Sequence, residues 1–117
     1  MKYYIIAGEA SGDLHGSNLI KELKKLDVAA SFRCWGGDKM AAAGGAVIKH
    51  YRDLAFMGFT EVIKNLPAIF HNLAFCQQDI AQFPPAVLIL IDYQGFNMRI
   101  AQWSPPNQYN MVFYISP

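Results

Sequence analysis

The sequence predicts an α/β fold built on a doubly wound parallel sheet, and three observations carry that expectation. Short runs rich in aromatic and β-branched residues alternate with longer stretches of helical period. The run Val87-Leu88-Ile89-Leu90-Ile91 is apolar throughout, as a strand covered on both faces must be. Breaks at Gly36-Gly37, Gly44-Gly45 and Pro84-Pro85 separate the segments. Strands that alternate with helices pair in parallel through crossovers. A length of 117 residues holds one domain, or part of one.

Taken in order, Tyr3 to Ala7 reads as a buried strand ending at Gly8. The polar stretch Gly8-Glu9-Ala10-Ser11-Gly12-Asp13 follows as a loop. Leu19, Ile20, Leu23 and Leu26 then recur at helical spacing, with Lys21, Glu22, Lys24 and Lys25 between them, and predict an amphipathic helix. Ala30 to Trp35 is the second strand, Asp38 to Ala43 a short helix ended by Gly44-Gly45, and Ala46 to Tyr51 a third strand. From Thr60, a candidate N-cap, Val62, Ile63, Leu66, Ile69, Phe70, Leu73, Cys76 and Ile80 keep a helical period as far as Pro84-Pro85. Pro67 is expected to kink or divide that segment. Val87 to Ile91 is the fourth strand and ends at Asp92. A short helix is expected from Asn97, and Met111 to Ile115 makes the fifth strand.

The bulk composition removes several function classes. Hydrophobic residues make up 53% of the chain and charged ones 16%, with a net charge of +1, so no basic face stands ready to neutralise a nucleic-acid backbone. Cys34 and Cys76 lie far apart, with no CxxC and no adjacent His pair, and read as small core hydrophobes in a reducing compartment. The opening apolar run is too short for a signal peptide, and no segment approaches bilayer-spanning length. A cytosolic protein, or one on the cytosolic face of a membrane, is expected.

Chemistry is sought just after the strands, because open α/β sheets bind ligands beyond their strands' carboxyl ends. Two such positions carry acids. The stretch Gly8 to Gly16 has glycines and a following helix start that could face an anion, yet it is neither a Walker A loop nor a GxGxxG fingerprint. On the residues alone it is equally a turn with Ser11 or Asp13 as helix cap. Glu9, at the tip of a buried strand, needs solvent or a partner. Asp92 ends the fourth strand, where a carboxylate can be held against a reacting hydroxyl as a general base, and it is equally a plain turn acid. His15, His50 and His71 show no metal-ligand spacing. The stretch Phe56-Met57-Gly58-Phe59, with the long helix after it, is rich in large hydrophobes. It is either core or an outward face for lipid, with Lys64 placed to meet a lipid phosphate.

With those residues on the page, a family resemblance becomes visible over essentially the whole chain. Ala7-Gly8-Glu9-Ala10-Ser11-Gly12-Asp13-Leu14-His15-Gly16 resembles the opening motif of the lipid A disaccharide synthases. Gly36-Gly37 with Met40, Leu54 to Val62, Leu66-Pro67, Ile91-Asp92 with Phe96-Asn97, and Tyr114-Ile115-Ser116-Pro117 resemble that family's landmarks in its order. The resemblance implies transfer of 2,3-diacylglucosamine from its UDP derivative to 2,3-diacylglucosamine 1-phosphate, with release of UDP and no metal or cofactor. It implies a Rossmann-like fold, part of the N-terminal, acceptor-side domain of a GT-B glycosyltransferase. By the same resemblance Asp92 is the base or lies beside it. Glu9 and Ser11, with Gly12 and Asp13, belong to the first-loop site near the reaction centre, and Asn97 shapes its floor. Val62, Ile63, Leu66, Ile69 and Phe70 match an apolar surface that meets the inner membrane, on its cytosolic face.

This sequence departs from the family pattern at Gln94, where a proline is common, and in Trp103-Ser104-Pro105-Pro106-Asn107. The family pattern continues into a nucleotide-binding second domain, so residues 1–117 are expected to be one partial domain without transferase activity of their own. Two rival readings remain at this level: a stand-alone Rossmann- or flavodoxin-like module for a small ligand, and a membrane-associating remnant.

Overall fold

A computed structural model describes residues 1–57, 66–104 and 108–115. Five strands form one all-parallel sheet in the order β3-β2-β1-β4-β5: β1 (Lys2–Ala7), β2 (Ser31–Gly36), β3 (Ala46–His50), β4 (Val87–Ile91) and β5 (Asn110–Tyr114). Among the described residues, the α-helices beside them are α1 (Ala10–Leu26), α2 (Asp38–Ala43), α3 (Leu66–Gln82) and α4 (Gln94–Trp103), with a 3-10 helix at Tyr51–Met57. The expected doubly wound architecture is the one observed.

Alternation along the strands divides the core in two. Tyr3, Ile5, Ala7, Phe32, Cys34, Ile89 and Ile91 pack beneath Ile20 of α1 and Met40 and Ala43 of α2. Tyr4, Ile6, Trp35, Leu88 and Leu90 face the other way, onto Ile69, Leu73, Cys76 and Ile80 of α3 and Phe96 and Ile100 of α4. Both cysteines are free and buried, one on each side of the sheet. Burial pushes the Cys34 thiol up to about 12, with the charge of Asp13 adding to it.

A buried polar cluster fastens α3 to the sheet. Asp79 takes a two-pronged contact from Arg33 of β2, Nε and Nη2 each 2.6 Å from a carboxylate oxygen, and a 2.7 Å bond from the Tyr4 hydroxyl. The Trp35 indole donates to that hydroxyl at 3.0 Å. Burial works against the Asp79 carboxylate, but the hydrogen bonds from Arg33 and Tyr4 and the Arg33 charge outweigh it and hold the group below the usual range.

Helix α1 differs from the sequence expectation at both ends. It starts at Ala10, so most of the presumed loop is helical. Gly12 and Gly16 serve close approach there: a Cβ on Gly12 would stand 3.0 Å from the Ala7 methyl, and one on Gly16 would stand 2.7 Å from the Met40 sulfur. Small residues thus form the buried face of the first turns, with Ile20 continuing it. At the other end Leu26, the last residue of α1, is 86% exposed and does not join the buried stripe expected of it.

Candidate functional site

Chain order reverses between β1 and β4, which lie side by side in the sheet while their successors run outward in opposite directions. A crevice opens beyond the carboxyl ends of such a pair. Glu9 and Asp92 stand there, one after each strand. Glu9 is the exposed N-cap residue of α1, with extended backbone at φ −143°, and its carbonyl accepts the Asp13 amide at 2.9 Å. Helices α1 and α4 both point their N-termini toward this end of the sheet, which favours negative charge.

Asp92 is held by its backbone. It and Tyr93 are the non-glycine residues with left-handed conformation among those described, at φ 45° and 49°. Such conformations cost about 1–3 kcal/mol each and persist where surroundings impose them. The Asp92 amide donates to the Tyr114 carbonyl of β5 at 2.8 Å, and Asn97 Nδ2 donates to the Asp92 carbonyl at 2.9 Å. Longer 3.4 Å contacts join the same Nδ2 to the carbonyls of Ile6 and Ile91, so Asn97 ties the ends of β1 and β4 together from beneath. The Asn97 amide closes the first turn of α4 on the Tyr93 carbonyl at 2.9 Å. This turn carries the chain from strand to helix at once, and α4 therefore starts at Gln94 and not at Asn97 as the sequence suggested.

Beside Asp92 lies a cleft of about 90 Å³ lined by Leu90, Asp92, Asn97, Met98, Phe113 and Ile115. Asn97 is 1% exposed, and its Oδ1 finds no partner among the described residues. Asn97 also lines the cleft, and a buried acceptor left unfilled suits a hydroxyl or amide N–H that reaches it. The site thus combines an aspartate whose backbone is fixed at a strand tip, a buried acceptor with no partner among the described residues, and largely apolar walls.

Tyr93 joins the two loops. Its phenol is pushed above its ordinary range first by burial, then by the charge of Glu9 and by Cys76, so it stays a neutral hydroxyl near the Glu9 carboxylate. Across the crevice His15 of α1 meets Tyr114, with ring centroids 5.0 Å apart and Nδ1 3.3 Å from the hydroxyl.

The remaining sequence candidates separate. Ser11 is exposed in the first turn of α1, near Glu9, while Gly12 is buried against β1. Asp13, expected with them in the substrate site or as a cap of its own helix, is 3% exposed and caps α2 instead. Its Oδ1 accepts the Gly37 and Met40 amides at 2.8 and 3.0 Å, and its Oδ2 the Lys39 amide at 3.1 Å. One position of the expected outward apolar face, Ile69, needs correction. Ile69 is buried against the sheet with Leu73 and Cys76, because the i, i+4, i+7 positions of α3 turn inward, while Phe70 is 56% exposed. Leu66 opens α3, and Val62 and Ile63 lie outside the described residues, as do Thr60 and Lys64. Tyr93, Tyr114 and the Arg33–Asp79 pair were not legible in the sequence, since each acts through a distant contact. The strand tip before Asp92 was the available signal for Tyr93.

Comparison with known proteins bears on the chain as a whole. The family model described as lipid-A-disaccharide synthetase matches residues 3–117. A lipid-A-disaccharide synthase of Geobacter metallireducens is 43% identical over 113 residues, 97% of this chain. The chain belongs to the lipid-A-disaccharide synthase family. Members from Geobacter sulfurreducens and Xylella fastidiosa are each 40% identical over 97% of the chain. In all three cases the chain spans 29% of the relative's own length. Among the described residues no helix is long and apolar enough to cross a membrane, and no three His, Cys, Asp or Glu side chains gather as metal ligands.

Proposed function

We propose that this chain forms the acceptor side of a lipid-A-disaccharide synthase, in which Asp92 deprotonates the 6-hydroxyl of 2,3-diacylglucosamine 1-phosphate for attack on a UDP-linked 2,3-diacylglucosamine. The observation that carries the reading is Asp92 itself. It stands at the switch point, fixed by Tyr114 and Asn97, in a chain whose family is named for joining lipid A sugars. A base on so rigid a mount needs little reorganisation to meet its substrate. The apolar cleft walls accord with an acylated acceptor, and the Asn97 Oδ1 with one of its hydroxyl or amide donors. Glu9 and Ser11 border the diphosphate in this reading, near the N-terminus of α1. The proposal assigns no metal or organic cofactor to these residues.

The donor nucleotide is assigned to a second α/β domain, so residues 1–117 alone are inactive in transfer. The half-exposed Val112, Phe113 and Tyr114 of the edge strand β5 support a longer protein that covers this edge. The protein works from the cytosolic face of the inner membrane, and the outward Phe70 supports a surface that meets it. The test joins residues 1–117 to the remaining part of the Geobacter metallireducens relative and measures acceptor-dependent UDP release. Activity that Asp92→Asn abolishes upholds the reading; a flavin or dinucleotide bound tightly by residues 1–117 replaces it with a small-ligand module.

A further inference from the structure

Neither Asp92 nor Tyr93 is a residue that takes left-handed backbone without steric cost, yet both hold it in succession. The Tyr93 ring is packed closely on both sides. It lies on Gly8 so closely that a Cβ there would stand 2.5–2.6 Å from three ring carbons. It stacks on Phe96 with centroids 5.1 Å apart and planes inclined by 24°. Phe96 is itself buried in the core of α4 and β4, so the ring rests on a fixed support. Gly8 does not have a positive φ; its lack of a side chain is what the site uses, because the ring fills the space a Cβ needs. The Tyr93 hydroxyl is buried without a partner among the described residues, so the ring acts by shape and not by a hydrogen bond.

We propose that Tyr93 is a positioning residue: wedged between Gly8 and Phe96, its ring keeps the turn after β4 left-handed and thereby aims Asp92 into the crevice beside Glu9. The functional meaning rests on Asp92 being the base, whereas the conformational claim stands without it. Three-bond couplings and backbone chemical shifts of the labelled 117-residue chain read φ at Asp92 directly. Left-handed values are expected in the unaltered chain and in Tyr93→Phe, which keeps the ring. They are lost in Tyr93→Ala and in Gly8→Ala, with the rest of the sheet's shifts unchanged, and combining the two substitutions does no more than either alone because both break one contact. Tyr93→Leu, which keeps apolar bulk without a flat ring, gives the same reading if the alanine variant does not fold. Asp92 remaining left-handed in both Gly8→Ala and the folded Tyr93 variant overturns the proposal. If φ responds as described while Asp92→Asn retains turnover in the joined protein, the wedge stands and the base assignment falls.

Discussion

Replacing Asp13 by alanine removes an acceptor that three backbone amides at the start of α2 share. The bonds from Gly37 and Met40 are buried, and the one from Lys39 is partly so. A buried donor left unsatisfied costs about 1–3 kcal/mol. Lys39 can turn to water, and a six-residue helix can fray to let water reach the others, so the two buried amides set a net loss of about 2–4 kcal/mol. That is a large share of the roughly 5–15 kcal/mol that holds a domain together. It corresponds to a fall in melting temperature of about 10–20 °C. Asp13→Asn keeps the oxygen facing Gly37 and Met40 and turns an NH2 toward the Lys39 amide, so it loses about 1 kcal/mol. Urea and thermal denaturation followed by circular dichroism measure both. A melting temperature for Asp13→Ala within about 3 °C of the parent refutes the capping argument. A direct role in ligand binding predicts the reverse pattern, unchanged melting with weakened acceptor affinity.

Asp79→Ala leaves Arg33 partly buried and unpaired, and costs about 2–4 kcal/mol once Arg33's one-third exposure is allowed for. Because its folded carboxyl is depressed, Asp79 contributes stability above the unfolded value of about 3.9 and loses it as pH falls through the lower folded one. Chemical denaturation from pH 6 to 2 therefore shows an acid-side decline that is shallower in Asp79→Asn. Both thiols are buried and held protonated, so a thiol-specific reagent labels Cys34 and Cys76 in step with unfolding by urea, and rapid labelling of the native chain contradicts their placement. Ile69→Ser destabilises by about 2–4 kcal/mol, whereas Phe70→Ser changes stability by less than about 0.5 kcal/mol and reduces co-sedimentation with anionic vesicles. Equal loss of stability in both variants contradicts the assignment of faces on α3.

Apolar runs and breakers carried most of the fold. Val87–Ile91 and Asp38–Ala43 have the bounds expected of them, because an unbroken apolar run and a glycine-ended segment are local signals. Strands β2 and β5 lie one residue away from expectation. The start of α1 was misread for a physical reason: Gly12 and Gly16 resemble loop residues, and their use in close packing against Ala7 and Met40 depends on partners elsewhere in the chain. Asp13 reads from the sequence as part of its own neighbourhood, while the amides that donate to it lie 24 to 27 positions away. Within the site, the strand tips located Glu9 and Asp92. The left-handed turn was not legible, since nothing in Asp-Tyr-Gln announces positive φ, and the Tyr93 ring that accompanies it sits on a glycine 85 positions earlier by number. Periodicity placed Ile69 and Phe70 on one apolar face, but it could not say how much of that face the sheet would cover.

The central claim is that Asp92 moves the acceptor's proton. Acceptor-dependent UDP release by residues 1–117 joined to the remainder of the Geobacter metallireducens relative tests it most directly, with Asp92→Asn compared against the parent. The account predicts that kcat falls by about a hundredfold to ten-thousandfold while melting temperature and donor KM stay close to the parent's. Turnover within a few-fold of the parent contradicts it.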